Sequence, residues 1–298
     1  NITGSQNHFS GFEAGQANLG GSNNYFSGHQ AGFNNTASAN HFTGYKAGYS
    51  NTSGISNQFS GFLAGNKNTD GDGNYAAGYY AGYSNISIGY QAGLDNIESE
   101  NIFIGKNAGK IIEEGIEMTI IGSNAGIDFT GTGNRSTIIG SFAGESGGGY
   151  DNIFLGAYAG RYNTGYRNTV IGTQAGAAGG FLGHTNTVIG YNAGSGLTTG
   201  NQNVIVGGHS GGSLFSGNSN VLIGYDSDAT FGTVGSIAIG YDASVNSSHT
   251  VVLGGVGVSK LGVGKTPDNT EIFAFETTTA HLSIGGEWVN SSDRNIKE

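Results

Sequence analysis

The chain has no cysteine and a single proline in 298 residues. The first absence excludes a disulfide framework and any thiolate metal site, and it leaves the redox compartment open. Charge is scarce as well: Asp, Glu, Lys and Arg make up 11% of the chain, with a formal net charge of −10. So few charges exclude a polymer held unfolded by self-repulsion. The acidic balance argues against a nucleic-acid-binding surface, which needs Lys and Arg clustered against phosphate. The seven histidines never fall at His-x-His or His-Glu-x-x-His spacing, so neither a metal nor another cofactor is expected. No apolar run reaches the about eighteen residues a membrane helix needs, and no signal peptide opens the sequence. No membrane insertion is expected. Asn1 reads as a cut inside a longer protein, and the chain as a soluble piece of it.

What is abundant is glycine, 58 residues of it, without the every-third-residue period of collagen. The glycines belong to a recurring phrase: "NTVIGTQAG" at 168, "NIFIGKNAG" at 101, "NIFLGAYAG" at 152, "NTVIGYNAG" at 186 and "NHFSGFEAG" at 7. Taking the central glycine as anchor gives sixteen copies, from Gly11 to Gly254, mostly 16 to 18 residues apart. One contraction to 11 separates Gly78 from Gly89, and the last step is 14. Alanine or serine stands three residues after fifteen anchors, and asparagine four residues before twelve. Helical repeats need about 30 residues or more and would not survive a glycine in every core segment. A short strand with Gly and Asn turns fits each copy instead, one β-coil per repeat. The expected fold is all-β, a β-solenoid or β-roll of about sixteen rungs. At a strand spacing of about 4.8 Å that is a rod roughly 75 Å long.

Successive side chains of a strand point to opposite faces. The residue two before the anchor (Phe9, Phe26, Phe42, Phe59, Phe103, Ile120, Ile138 and onward) is therefore expected to fill the coil. The residue one before it, Ile88 through Ile171 and Ile189 to Leu253, is equally apolar and must point outward. An uncovered aliphatic ridge of that length calls for a cover, and the simplest is a second copy about a symmetry axis. The small Ala-Gly pair after the anchor is expected at that contact, where it lets backbones approach.

The first five copies differ. Their outward residues are Ser10, Ser27, Thr43, Ser60 and Ala77, and 15 of the 32 aromatic residues precede residue 91. The chain is read as 1–84, aromatic-rich repeats with a polar axis column; 85–255, aliphatic repeats; 256–271, a Gly-rich link; and 272–298, a transition strand with the start of a further domain. The aromatics either pack between rungs or form a stacking platform for a sugar. Tyr75, Tyr79, Tyr80 and Tyr83 are the candidate ligand patch.

Other motifs fall short of their chemistry. "GVGKT" at 262–266 lacks the first glycine of a phosphate loop (Ser259 stands there) and Pro267 follows it. "DGDGN" at 70–74 begins like a calcium loop but has Tyr75 and Ala81 where a glycine and a carboxylate are required, so it reads as a turn. Glu98, Glu100, Glu113, Glu114 and Glu117 form the densest acidic cluster. They read as a solvated turn rather than the carboxylate pair of a glycan hydrolase.

"SIAIGYDASV" at 236–245 and "NVLIGYDSDA" at 220–229 resemble head repeats of trimeric autotransporter adhesins, although the Ala-Gly ending and the second aliphatic are foreign to those heads. The resemblance implies a trimeric left-handed β-roll and supplies the number three. "LGVGKTPDN" at 261–269 resembles the link before the carboxy-terminal chaperone domains of phage tail fibres. "SSDRNIKE" at 291–298 resembles the opening of that domain, the intramolecular chaperone of endosialidase type. That family implies a self-cleaving pair matched here by Ser292 and Lys297, with the cut before Ser292 and the lysine acting as base for the serine hydroxyl. The expected function is a homotrimeric fibre that attaches a phage, or a phage-like injection particle, to a host cell surface. It would be extracellular, on the virion, with a glycan receptor and baseplate or other fibre proteins as partners. A bacterial surface adhesin and a tailspike-type glycan hydrolase are the alternatives. Apart from one self-cleavage no enzyme activity is expected. Tail fibres point their amino-terminal side inward, which would put the receptor tip after Gly207, whereas the aromatics favour the region before residue 91.

Overall fold

A computed structural model describes residues 3–82, 86–96, 100–112, 115–129, 135–177 and 183–255, together with the backbone of four later strands. The chain is an all-β parallel β-solenoid, with no helix among the described residues. Its spine is a 16-stranded parallel sheet of three-residue strands, from His8–Ser10 to Val251–Leu253. Each strand comes just before one anchor glycine. Pairing is in register, so like positions stack: Phe9 on Phe26, Phe26 on Phe42, Phe42 on Phe59, Val170 on Val188. The contracted copy keeps the register, with Tyr75 on Ile86 and Ala77 on Ile88. Two shorter strands, Asp228–Ala229 and Ser244–Val245, pair in parallel near the end of the coil. Beyond it, Leu261–Val263, Glu271–Phe275, Ala280–Ser283 and Trp288–Asn290 form a separate four-stranded sheet.

The alternation expected of the strands is observed. The residue two before the anchor points inward: Phe26, Phe42, Phe59, Phe103, Ile120, Phe154, Val170 and Leu222 are fully buried. Burying each such side chain contributes about 1.5–3 kcal/mol. The Phe9–Phe26–Phe42–Phe59 rings stack at 4.9–5.0 Å, the rise of one rung. The apolar core is divided in two, one cluster ending at Ala81 and the next starting at Ala92. Between Phe59 and Phe103 the inner column carries only Ala76 and Ser87, too small to bridge the gap.

The Ala-Gly pair is not at the outer ridge. The alanine three after the anchor is buried inside the coil, as at Ala31, Ala64, Ala108, Ala159 and Ala193. The reason is geometric. The anchor leaves the strand at a corner, and the turn after it passes beneath the strand, so the period-two argument stops there. The glycine that follows packs against the inner residue. On Gly160, whose φ is +61°, a Cβ would lie 2.5 Å from the Phe154 ring.

Each coil closes through left-handed corners. Around the anchor Gly156 these are Asp151 (φ 58°), Gly156 (φ 133°), Tyr158 (φ 59°) and Gly160 (φ 61°). A Cβ on Gly156 would stand 2.7 Å from the Gly172 carbonyl of the next rung, so backbone-on-backbone stacking requires glycine there.

Asparagine ladders hold the remaining polar groups of the coil. The asparagine four before the anchor accepts from the equivalent backbone N–H of the next rung: Asn203 N–H donates to Asn186 Oδ1 at 2.9 Å, and Asn220 N–H to Asn203 Oδ1 at 2.9 Å. Its amide then donates across the turn, Asn186 Nδ2 to the Gly200 carbonyl at 2.9 Å. A second buried ladder stands seven after the anchor. There Asn51 Nδ2 donates to Asn35 Oδ1 and Asn68 Nδ2 to Asn51 Oδ1, both at 2.6 Å. Further along, that column becomes mixed, with Ile112, Phe129, Leu197 and Leu214 buried in it beside buried Asn163.

Candidate functional site

The outer face of the long sheet changes character along the rod. In the first five strands it carries exposed His8, Tyr25, His41, Gln58 and Tyr75 beside Ser10, Ser27, Thr43, Ser60 and Ala77. From Ile86 onward its two columns are Ile, Leu, Val and Thr without interruption until Val251–Leu253. In a single chain this second stretch is only partly covered: Ile88 is 37% exposed, Leu155 43% and Leu253 45%.

One residue past the anchor lies a column of rings that runs continuously along the first six copies. Phe12, His29, Tyr45, Phe62, Tyr79 and Tyr90 stack in order with centroids 4.9–5.2 Å apart and planes within 27°. All six are exposed. Because each inner ring has a ring on both faces, the ladder offers mainly ring edges to solvent, and hydroxyls at Tyr45, Tyr79 and Tyr90. Of the four tyrosines singled out in the sequence, Tyr79 belongs to this ladder. Tyr80 sits beside it at a left-handed corner (φ 53°), tilted against Phe62 and Tyr79 by 55° and 60°. Tyr75 stands instead at the start of its strand, in the column of Tyr25 and His41. Tyr83 lies outside the described residues. Reading the sequence at the offset one past each anchor would have found the rest of the ladder.

A second surface feature was not singled out in the sequence. Residues two and five past successive anchors line a groove of about 420 Å³: Tyr158, Arg161, Gln174, Ala177, Asn192 and Ser195. Left-handed backbone at Tyr158, Gln174 and Asn192 (φ 59°, 58° and 53°) turns these side chains outward in a row. Their N–H groups donate to the previous rung, to Ser141, Ala157 and Thr173 carbonyls at 2.9–3.0 Å, so the row is fixed by the coil. Tyr158 is the end of a ring stack, with Phe142 parallel to it at 5.2 Å. Arg161 lies against the Tyr158 and Tyr162 rings, 5.4 and 4.6 Å from their centroids, with Nε 2.6 Å from Glu145 Oε2.

The remaining candidates fall into place as follows. Asp70 and Asp72 serve the turn: Asp72 accepts from Ile55 N–H at 2.7 Å and Asp70 from the Thr69 hydroxyl at 3.0 Å. Glu100 and Glu117 occupy left-handed corners (φ 65° and 57°), while Glu98, Glu113 and Glu114 lie outside the described residues. Gly262 is in the strand Leu261–Val263, which pairs in parallel with Glu271–Phe275. Ser292 and Lys297 lie outside the described residues. His184 accepts from Tyr166 N–H at 3.2 Å and stacks on the Tyr166 ring at 3.7 Å, and burial lowers its pKa. Among the described residues no helix is long and apolar enough to cross a membrane. No protein-family model matches the chain, and no curated protein matches it significantly.

Proposed function

We propose that this chain is the shaft of a homotrimeric fibre that attaches a phage, or a phage-like injection particle, to a host cell surface. The observation that carries the reading is the outer face of the sheet from Ile86 to Leu253, with one wholly aliphatic column (Ile88 to Leu253), a second of Ile, Val and Thr, and only partial cover by its own chain. Two further chains packed on that face about a common axis would bury it, and closed symmetry would prevent open-ended growth. The number three comes from the resemblance to autotransporter heads. The attachment role comes from the resemblance of residues 261–269 and 291–298 to tail-fibre links and their chaperone domains. Nothing in the rung demands catalysis: each copy adds length and stiffness.

Recognition is assigned to the aromatic region, with Tyr75, Tyr79, Tyr80 and Tyr83 as the ligand patch and a cell-surface glycan as the receptor. Weak contacts repeated over three chains gain through avidity. Labelled fibre should bind cells of a susceptible host, and changing the four tyrosines to Ser should abolish binding while the fold is kept. Undiminished binding by that variant would reduce the patch to packing. Failure of the unmodified fibre to bind any cell of a host panel would contradict attachment itself. A gene product carrying the chaperone domain is expected to release a fragment that begins at Ser292. Intact-mass spectrometry showing the same cut in a Ser292→Ala protein would remove that residue from the mechanism.

A further inference from the structure

We infer that the groove bounded by Tyr158, Arg161, Gln174, Asn192 and Ser195 is a binding subsite for a neutral saccharide unit. Its volume, about 420 Å³, is in the range of small-ligand sites. Its lining has the chemistry of sugar recognition: two carboxamides that both donate and accept, two hydroxyls, a guanidinium and an aromatic ring.

Charge selects the class. Among the described lining residues Arg161 alone is charged, and Glu145 lies 2.6 Å from its Nε, so the two charges offset each other. An acidic sugar would compete with Glu145 for the guanidinium, while a neutral one needs only donors and acceptors. Among the described lining residues Ala177 and the Tyr158 ring are the main apolar surface, which disfavours an apolar ligand.

The groove also differs from the same positions elsewhere on the rod. Where carboxamides stand two past the anchor elsewhere, they bond along the column, as Gln30 Nε2 to Glu13 Oε2 at 2.6 Å and Asn107 Nδ2 to Asn124 Oδ1 at 2.8 Å. The Gln174 amide has no such partner among the described residues. Its neighbours in the column are the Tyr158 ring and Asn192, whose Nδ2 pairs with His209 Nδ1 at 3.3 Å and leaves Oδ1 for a ligand. Five past the anchors the side chains shrink from Arg161 to Ala177 and Ser195, and this step in size opens the space. The coil backbone fixes Tyr158, Gln174 and Asn192 through their N–H bonds to the previous rung, which lowers the ordering cost of binding.

The inference does not rest on the fibre reading, because sugar binding by the purified protein neither requires nor reports attachment to a cell. Saturation-transfer NMR with glucose, galactose, mannose and N-acetylglucosamine should show transfer from the protein to at least one of them. Glucuronic and N-acetylneuraminic acids should show less. Affinity should fall at least about tenfold in Gln174→Ala/Asn192→Ala. It should fall equally in Ser195→Trp, which fills the groove from its edge. If the double variant fails to fold, Ser195→Trp decides. No transfer to any neutral sugar, transfer to the acids alone, or full binding by a folded Ser195→Trp protein would each overturn the assignment.

Discussion

At the scale of single residues, the asparagines before the anchors were conspicuous in the sequence, but their task was not. Twelve copies carry one, which as a bare pattern reads as turn chemistry. In the structure Asn24, Asn40, Asn152, Asn168, Asn186 and Asn203 each link their rung to the next through both ends of the amide. Asn186, 1% exposed, satisfies the Asn203 N–H and the Gly200 carbonyl at once. Replacing it with Ala leaves two buried backbone groups without partners, each costing about 1–3 kcal/mol. Asn186→Ala should therefore lower stability by about 2–4 kcal/mol, read as a shift of the urea midpoint. A change below about 0.5 kcal/mol, typical of a surface substitution, would contradict the ladder's structural role. The second asparagine column, seven past the anchor, is hidden in the sequence because asparagine there alternates with Ile112, Phe129, Leu197 and Leu214. It touches the first ladder directly, with Asn40 Nδ2 donating to Asn35 Oδ1 at 3.0 Å, five residues away in the sequence.

At the scale of the rung, the strand was legible and the turn was not. Alternation at Phe154 and Leu155, one inward and one outward, follows from strand geometry alone and holds in every described copy but the frayed ends. The turn obeys no such period, so Ala159 and Gly160 lie inside the coil and not at the outer ridge that their spacing suggests. The groove was illegible for a related reason. Tyr158, Gln174 and Asn192 are 16 and 18 residues apart, and they meet only because register aligns their rungs. The corner at the anchor yields a sharp expectation. Gly156→Ala forces a methyl against the Gly172 carbonyl and adds strain at φ 133°, so it should cost more than about 4 kcal/mol or abolish folding. Ala157→Ser, the next residue and partly exposed, should shift the midpoint by less than about 0.5 kcal/mol. Circular dichroism during urea unfolding compares the two directly. Equal midpoints would mean that the rungs have room between them.

At the scale of the molecule, the rod has two surfaces in series. The first carries polar residues and a stacked ring ladder from Phe12 to Tyr90; the second is a face of Ile, Leu, Val and Thr from Ile86 to Leu253. A solenoid needs no partner to complete its hydrogen bonds along the sheet, since each strand but the two end ones is paired on both edges. What a single chain cannot do is cover the outward column of Ile171, Ile189 and their neighbours. Asp at both Ile171 and Ile189 would bury unpaired charge in any assembly built on that face, and the assembly should dissociate or unfold. The most direct test is the mass of the unmodified protein in solution by light scattering. A mass three times the 30.3 kDa of the chain, lost in the Ile171→Asp/Ile189→Asp variant, is the result expected of a trimeric fibre. A folded, monodisperse particle of 30.3 kDa would contradict it.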